Sequence, residues 1–207
     1  MLTNLSLFSG VGGLDLAAKW TGQIKTVAYV ENDPYAQGVL LSRMRDGSLD
    51  DAPIFEDCRN FRGTSLRGNI DVVSGGFPCT DVSVAGKRAG IEKGKQSGLW
   101  REFARIICEV RPRFVLVENV PGLLYTRGIG RVLGDLAQAG YDAQWYCLSA
   151  ADVGAPHKRE RVWIVAYANE QQNRRSFRSR IRPHVGGDGE DVAHPQSRGT
   201  GEKLGRQ

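Results

Sequence analysis

The sequence has no apolar run near the roughly 20 residues that a membrane-spanning helix requires. Its first residues, MLTNLSLF, also lack the basic segment that precedes the apolar part of a secretion signal. With 207 residues, 41% of them hydrophobic and 25% charged, the chain can instead bury one sizeable core. We therefore predict a globular protein of the cytoplasm that does not contact a membrane.

Metal-binding and disulfide patterns are absent as well. The four cysteines, Cys58, Cys79, Cys108 and Cys147, form no Cys-x-x-Cys pair and have no histidine at ligand spacing. We therefore predict no metal site and no disulfide framework, and we expect reduced thiols. The lysine of a triphosphate-binding loop is also missing, which argues against a nucleoside triphosphate ligand.

Positive charge is concentrated towards the end of the sequence. Of the net charge of +5, residues 171–207 contribute +4, with eight Lys or Arg against four Asp or Glu. Residues 169–207 also show little periodicity and few large apolar side chains, so we predict a basic, flexible tail. Residues 1–168 form the predicted folded domain.

Within residues 1–168, apolar β-rich runs alternate with stretches that have helical spacing. The predicted strands are 4–8, 26–30, 70–74, 113–118, 143–149 and 161–168, and the predicted helices are 13–21, 33–46, 98–110 and 127–140. Near-continuous apolar strands that alternate with helices are typical of a parallel sheet with helices on both faces. The fold class is therefore α/β, with a doubly wound, mostly parallel sheet.

The first loop has the features of a nucleoside pocket. Gly10, Gly12 and Gly13 lie between the first strand and the first helix, where glycine lets a ligand approach the backbone at a helix N-terminus. The next strand ends at Glu31, a position from which a carboxylate can accept hydrogen bonds from both ribose hydroxyls. The alternative is a tight turn that needs glycine without binding anything.

A second loop, VVSGGFPCTDVSVAG, follows the strand at 70–74 and presents Cys79 behind Pro78. Because ligands bind beyond the carboxyl ends of strands in open α/β sheets, Cys79 should share an edge with Gly10 and Glu31. A thiolate there is a competent nucleophile when its surroundings are positive. A cysteine used only for packing is the alternative.

Two further segments of the sequence should place polar side chains at the same edge of the sheet. The strand RFVLVE ends at Glu118, whose carboxyl group could exchange a proton with a heterocycle. The segment GAPHKRERVW places Lys158, Arg159 and Arg161 at the start of the last strand, where cations suit an exocyclic oxygen, a phosphate or a thiolate. Each piece alone could be an ordinary turn, but the three together indicate an active site.

These residues resemble the DNA cytosine-5 methyltransferases, which methylate carbon 5 of cytosine with S-adenosylmethionine. The resemblance extends over residues 4–168 and rests on FSGVGG, ENDPYA, GGFPCTDVSVAG, ENVPG and GAPHKRERVW, which occur in the family's order. It implies a Rossmann-like S-adenosylmethionine-dependent methyltransferase fold. It also implies an enzyme that acts on double-stranded DNA, in a prokaryotic or phage restriction-modification or self-protection setting.

The resemblance assigns a role to each matching position. It implies that Cys79 is the nucleophile, Glu118 the acid that holds the cytosine edge, and Arg159 and Arg161 the active-site arginines. The cofactor-binding positions that it implies are Phe8, Gly10, Gly12, Glu31 (ribose), Asp57 (adenine amino group), Pro78 and Leu99. The segment 80–97 is basic and contains glycine, as a loop that closes over a flipped base should.

Family members continue past the last strand into a target-recognition domain and a late cofactor motif with a helix that packs on the sheet. The sequence stops before both, so we expect either a truncated enzyme or one part of a split enzyme that a second chain complements.

Two alternatives stay open: an RNA cytosine methyltransferase and a noncatalytic module that binds the cofactor or DNA. A zinc-dependent deaminase is excluded because Val82 occupies the position of its second cysteine and no His-x-Glu occurs. We expect Cys58, Cys108 and Cys147 to be structural.

Overall fold

The computed structural model describes residues 1–78, 98–125 and 128–169. Within these ranges the chain forms a sheet of seven strands: β1 (Leu2–Leu7), β2 (Ile24–Val30), β3 (Ile54–Phe55), β4 (Val72–Gly75), β5 (Phe114–Asn119), β6 (Tyr141–Leu148) and β7 (Arg161–Ala168). The helices are α1 (Gly13–Trp20), α2 (Pro34–Arg45), α3 (Leu99–Val110) and α4 (Gly128–Gln138). No helix in the described ranges is long and apolar enough to cross a membrane.

The strand order is β3-β2-β1-β4-β5-β7-β6. Strands β1 to β5 pair in parallel, whereas β7 runs antiparallel to both β5 and β6. The chain passes from β1 to β2 on one side and places β4 on the other side, so a crevice forms at the carboxyl ends of these strands. The predicted doubly wound α/β class is confirmed.

The predicted elements differ from the observed ones mainly at two places. Strand β3 was not predicted, because two residues that pair with Tyr29 and Val30 at the sheet edge carry too little pattern. Strand β6 has an apolar sequence, yet most of its side chains are exposed because β6 is itself an edge strand. The predicted domain boundary at residue 168 stays a prediction, since residues 170–207 lie outside the described ranges.

Helix starts and the main core follow from local sequence. Helix α2 begins with Asp33 as its cap, whose side chain accepts from the Tyr35 N–H at 2.8 Å, and Pro34 occupies the first turn. Helix α3 buries one apolar face, which includes Trp100 and Phe103, against the sheet. The Trp100 and Phe103 rings stack at 5.5 Å between centroids.

A buried polar cluster lies beneath the first loop. Asp15 on α1 is 2% exposed and accepts hydrogen bonds from the Ser6 hydroxyl at 2.9 Å and the Thr26 hydroxyl at 2.9 Å. The Asn4 amide donates to both Asp15 and Thr26. Burial raises the pKa of Asp15, and the hydrogen bonds from Ser6 and Thr26 oppose that effect. The cluster therefore joins α1 to β1 and β2 below the glycine loop.

One face of the strands β5, β7 and β6 is apolar and open to solvent. The register places Leu116 opposite Val165 and Phe114 opposite Tyr167, so these side chains share a face. Val165 and Tyr167 are exposed, as is Leu148 on β6, while Val162 and the other alternate residues of β7 are buried. We call this surface, made of Phe114, Leu116, Leu148, Val165 and Tyr167, the open sheet face.

The three cysteines that are expected to be structural differ in burial, and Cys58 is the buried one. Cys108 is exposed because it lies on the outward side of α3. Cys147 is exposed because β6 is an edge strand with solvent along most of its length. These two residues therefore lie outside the core, and their structural role stays a prediction.

Candidate active site

The carboxyl edge of the sheet brings most of the predicted site residues together. A cavity of about 650 Å³ opens at the ends of β1, β2, β3 and β4 and at the start of α3. Its lining residues are Phe8, Val30, Glu31, Asn32, Glu56, Asp57, Cys58, Arg59, Gly76, Pro78, Gly98, Leu99, Arg101 and Glu102. Five predicted cofactor residues, Phe8, Glu31, Asp57, Pro78 and Leu99, are among them.

The loop after β1 turns through three residues with left-handed backbone conformation. Phe8, Gly10 and Gly12 have φ angles of 52°, 54° and 82°. For Phe8 this conformation is uncommon, and its ring stacks on Phe103 at 6.1 Å between centroids, which compensates for the strain. A Cβ on Gly10 would meet nothing within 4 Å, so the backbone there is open to a ligand.

Gly12, which is predicted to bind the cofactor, also has a packing role. It does not line the cavity, and a Cβ there would lie 2.5 Å from Leu49 Cδ1 and 3.0 Å from Leu40 Cδ2. Gly12 caps the start of α1 in a left-handed conformation that disfavours other residues. The position therefore needs glycine for packing and for the turn.

Glu31 holds the glycine loop through backbone amides. Its Oε2 accepts from the Gly10 N–H at 2.6 Å and its Oε1 from the Asp33 N–H at 2.9 Å. The side chain is 8% exposed, and Gln37 donates to the Glu31 carbonyl at 2.6 Å. Each carboxylate oxygen keeps further acceptor capacity, so two hydroxyl donors could bind on the cavity side.

The acid predicted for the adenine end lies on the turn after β3. Asp57 Oδ1 accepts from the Arg59 N–H at 2.8 Å and from Arg59 Nε at 3.1 Å. The backbone hydrogen bond from Arg59, followed by its side chain, lowers the pKa of Asp57 despite some burial. The neighbouring Cys58 thiol has its pKa raised to about 11 by burial and by the Asp57 and Glu102 charges, so it is a poor nucleophile.

Helix α3 forms the opposite wall of the cavity. Leu99 begins the helix, and Glu102 lies one turn later on the same side. The sequence reasoning identified Leu99 and missed Arg101 and Glu102. The three-residue spacing from Leu99 was the available signal for Glu102.

The predicted base-binding residues meet farther along the same edge. Glu118 at the end of β5 forms an ion pair with Arg161 at the start of β7, with 2.6 Å between Oε1 and Nε. The two side chains are 30% and 23% exposed, so the pair is accessible from the edge. A Cβ on Gly76 would lie 2.6 Å from Glu118 Oε2, which means that glycine at 76 leaves the space that the carboxylate occupies.

Asn119 fixes the approach to the Pro-Cys pair. Its side chain is buried, and its Nδ2 donates to the Phe77 carbonyl at 3.1 Å. Its Oδ1 accepts from the Val120 N–H at 2.8 Å. The strand that carries Glu118 therefore also holds the backbone two residues before Cys79.

The structure does not bring every predicted residue into the site. Arg159 is exposed and has a positive φ of 32°, and it does not line the cavity. Cys79 and the predicted closing loop 80–97 lie outside the described residues. Gly76 and Pro78, which are described, line the cavity, and a Cβ on Gly76 would also approach Glu118.

The residues that line the cavity suit an adenosyl group. Its volume is in the range of small-molecule sites, about 300–1,000 Å³. Two carboxylates, Glu31 and Asp57, lie at the ends of neighbouring strands, where they could accept from ribose hydroxyls and from an amino group. Phe8 and Leu99 supply apolar walls. Within the described ranges, no group of three or more His, Cys, Asp or Glu residues could hold a metal ion.

The chain is similar to known DNA methyltransferases. The family model described as C-5 cytosine-specific DNA methylase matches residues 2–200. The type II methyltransferase M.CviJI of Paramecium bursaria Chlorella virus IL3A is 33% identical over 168 residues, covering 81% of this chain and 44% of that protein. M.Bsp6I of Bacillus sp. (strain RFL6) is 36% identical over 173 residues, covering 82% and 53%.

A solved structure shares the fold. A DNMT2 variant from Spodoptera frugiperda superposes with a TM-score of 0.68 at 21% identity, over 82% of this chain and 51% of that one. The chain thus spans about half the length of the relatives that it matches. The match of the family model to nearly all of the sequence decides the assignment: this chain is a member of the C-5 cytosine-specific DNA methylase family.

Proposed function

We propose that the chain is the cofactor-binding and catalytic part of a DNA cytosine-5 methyltransferase that uses S-adenosylmethionine. The observation that carries the proposal is the Glu118–Arg161 ion pair of 2.6 Å, which lies on the same sheet edge as the cavity that contains Glu31 and Asp57. Family membership and the similarity to type II methyltransferases support it.

S-adenosylmethionine would supply an electrophilic methyl group on a sulfonium. In our proposal Glu31 orients the ribose, Asp57 accepts from the adenine amino group, and Phe8 and Leu99 pack on the base. Gly10 leaves room for the ligand beside the backbone, and Pro78 closes the cavity towards the cytosine. These residues bind and orient the donor, and they exclude water from the methyl group.

Carbon 5 of cytosine is too weak a nucleophile to attack a methyl group directly. The thiolate of Cys79 therefore forms a bond to carbon 6 of a base flipped out of the duplex, which converts carbon 5 into an enamine carbon. The electron pair at carbon 5 would then take the methyl group, whose bond to the sulfonium breaks with its electrons left on sulfur as a neutral thioether. Loss of the carbon 5 proton reforms the double bond as the bond between carbon 6 and Cys79 breaks.

Glu118 stabilises the adduct by sharing a proton with ring nitrogen 3. Arg161 orients the Glu118 carboxylate, because its guanidinium lies against Oε1 and leaves Oε2 directed towards Gly76. Asn119 holds the Phe77 carbonyl and so limits the positions that Cys79 can reach. We assign Arg159, which is exposed, to contact with the DNA near the base.

The similarity to type II methyltransferases supports a restriction-modification or self-protection setting. A second candidate is a subunit that needs a complementing chain. The open sheet face favours it, because its apolar side chains, exposed on β6 and β7 and half-buried on β5, provide a contact surface. The chain spans about half the length of these relatives, which is consistent with both candidates.

The proposal is tested by incubating the purified chain with S-adenosylmethionine and duplex DNA that contains 5-fluorocytosine. Fluorine at carbon 5 cannot leave as a proton does, so the thioether is trapped. We expect a covalent complex that survives denaturation and disappears in Cys79→Ser.

Cys108→Ser is the matched control, since Cys108 is an exposed thiol away from the site. A complex that persists in Cys79→Ser, or that is lost in Cys108→Ser, would contradict the assigned nucleophile. If no complex forms although S-adenosylmethionine binds, the second candidate is supported. Replacing the duplex by an RNA oligonucleotide that contains 5-fluorocytosine tests the RNA alternative directly.

A further inference from the structure

An arginine in the middle of α3 holds the backbone that follows β3. Arg105 Nη2 donates to the Cys58 carbonyl at 2.7 Å, and Nη1 donates to the Phe61 carbonyl at 3.1 Å. Both carbonyls belong to the turn that begins at Asp57, whose own carbonyl accepts from the Phe61 N–H at 3.0 Å. One guanidinium therefore fixes both sides of this turn.

Two acids on the same helix hold the guanidinium in place. Arg105 Nε donates to Glu102 Oε2 at 2.8 Å, and Nη1 donates to Glu109 Oε1 at 2.6 Å. The other oxygen of Glu109 accepts from the Gly63 N–H at 2.8 Å. Although burial opposes it, the hydrogen bonds with Glu102 and Glu109 raise the pKa of Arg105. The planar guanidinium group of Arg105 thus has a hydrogen-bond partner on each of its three nitrogens.

The Arg105 contacts connect two walls of the cavity. Asp57 and Cys58 line one wall, and Leu99 and Glu102 line the other. Arg105 does not line the cavity itself. Its side chain is 26% exposed and lies behind both walls. The position of Asp57 relative to Leu99 therefore depends on these hydrogen bonds.

We propose that Arg105 is a positioning residue for the proposed cofactor site, holding the turn with Asp57 at a fixed distance from helix α3. This inference rests on the proposed function, since it assigns Asp57 to the adenine end of the cofactor. Arg105 acts through Asp57 and does not touch the ligand. Lysine cannot replace it, because one ammonium group cannot bind two carbonyls and two acids in these directions.

A nearby arginine provides a matched control. Arg67 also connects this part of the chain to α3, donating to the Glu109 carbonyl at 2.8 Å and to the Cys108 carbonyl at 3.0 Å. These carbonyls lie near the C-terminal end of the helix, away from the cavity. A general weakening of the packing on α3 would therefore affect both arginines, whereas a role in positioning Asp57 belongs to Arg105.

The first experiment compares Arg105→Lys with Arg67→Lys, using calorimetric binding of S-adenosylmethionine and thermal unfolding. We expect Arg105→Lys to raise the dissociation constant about tenfold, which corresponds to about 1.4 kcal/mol. We expect Arg67→Lys to change the dissociation constant less than about twofold. We expect the two variants to lower the melting temperature by similar amounts. Equal dissociation constants for the two variants would overturn the proposal.

Hydrogen exchange gives a readout that needs no cofactor. In Arg105→Lys the amides of residues 60–63 should exchange faster, whereas in Arg67→Lys they should keep the rate of the unsubstituted chain. Unchanged exchange at these amides in Arg105→Lys would overturn the positioning role.

A double substitution tests whether Arg105 acts through Asp57. In an Asp57→Ala background, Arg105→Lys should have little further effect on cofactor binding. Fully additive effects would show that Arg105 does not act through Asp57. If the unsubstituted chain fails to bind S-adenosylmethionine, the proposed function fails together with this inference. If it binds and Arg105→Lys binds equally well, only the role of Arg105 is overturned.

Discussion

The proposed active site has a cofactor end at Glu31 and a base end at Glu118, and the two ends hold their carboxylates in different ways. At the cofactor end, Glu31 is buried and accepts hydrogen bonds from two backbone amides. At the base end, Glu118 is partly exposed and pairs with one side chain, Arg161. Backbone donors are fixed by the fold, whereas an arginine can change its partner. Glu31 is therefore suited to holding a ligand in one position, and Glu118 to adjusting as a base changes its charge.

The support beneath the two ends differs as well. The cofactor end rests on the buried cluster around Asp15, which connects α1 to β1 and β2. The base end belongs to the strands that carry the open sheet face. The first end is thus supported by buried side chains of the described residues, and the second has a surface available to another structural element.

The adjacent glycines Gly75 and Gly76 give the sharpest test of this difference. A Cβ at Gly75 would collide with the Leu7 backbone carbonyl and approach Phe103, so Gly75→Ala should lower the free energy of unfolding by about 3 kcal/mol. A Cβ at Gly76 would meet only the end of the Glu118 side chain within 3 Å. Gly76→Ala should therefore keep the fold but reduce methyl transfer on the order of 100-fold.

Thermal unfolding and turnover measured on both variants check this prediction. Equal loss of stability in the two variants would mean that the Glu118 side chain cannot move aside for a Cβ, and it would remove the contrast between the two ends.

Glu31→Gln tests the cofactor end alone. One carboxylate oxygen becomes an amide NH₂, which must face the Gly10 or the Asp33 N–H, so two donors oppose each other. We expect cofactor binding to weaken about tenfold and the free energy of unfolding to fall by about 2 kcal/mol.

Glu56→Gln is the matched control for calorimetry, because Glu56 is an exposed acid on the same cavity. Similar losses for Glu31→Gln and Glu56→Gln would show that charge in the cavity matters and the backbone hydrogen bonds do not.

The smallest effect is expected from the support beneath the cofactor end. Burial raises the pKa of Asp15 above its ordinary value of 3.8. A carboxyl group whose folded pKa is raised stabilises the fold fully below its unfolded pKa, and this contribution is lost as pH rises through the folded pKa. The difference in stability between the unsubstituted chain and Asp15→Asn should therefore shift in favour of Asp15→Asn as pH increases from about 4 to 7.

Chemical denaturation at several pH values measures this difference. If the difference in the free energy of unfolding between the two proteins is constant with pH, the pKa of Asp15 is not raised in the folded chain. The lowered pKa values of Asp57 and Glu109 make the fold more stable as pH rises, which is the opposite trend. This contribution is the same in the unsubstituted chain and in Asp15→Asn, so it cancels in the difference.

Residues at strand ends could be predicted from the sequence because parallel strands meet at one edge. Glu31 and Glu118 follow apolar runs directly, so their placement needed only the fold class. The pairing of Glu118 with Arg161 depends in addition on the antiparallel direction of β7, which was not predicted, because an antiparallel strand starts where its neighbour ends. Pro78 and Leu99, which line the cavity, were instead assigned through the resemblance to the family.

Other features depend on contacts that no local pattern reveals. Arg105 binds carbonyls 44 and 47 positions away, and helical spacing alone only predicts its acidic neighbours on α3. The role of Gly12 depends on Leu49, which packs against it from beyond α2. Exposure of the open sheet face could not be inferred from β6 itself, because an edge strand and a central strand can have equally apolar sequences.

The antiparallel pairing of β7 also bears on the fidelity of folding. Trp163 is opposite Glu118, so Arg161 is the diagonal neighbour on the same face, within reach of a long side chain. Slippage of β7 by one residue would turn Arg161 to the other face and expose Val162. Such a chain could still be compact and yet inactive, so the Glu118–Arg161 pair would favour correct alignment during assembly as well as serving the chemistry.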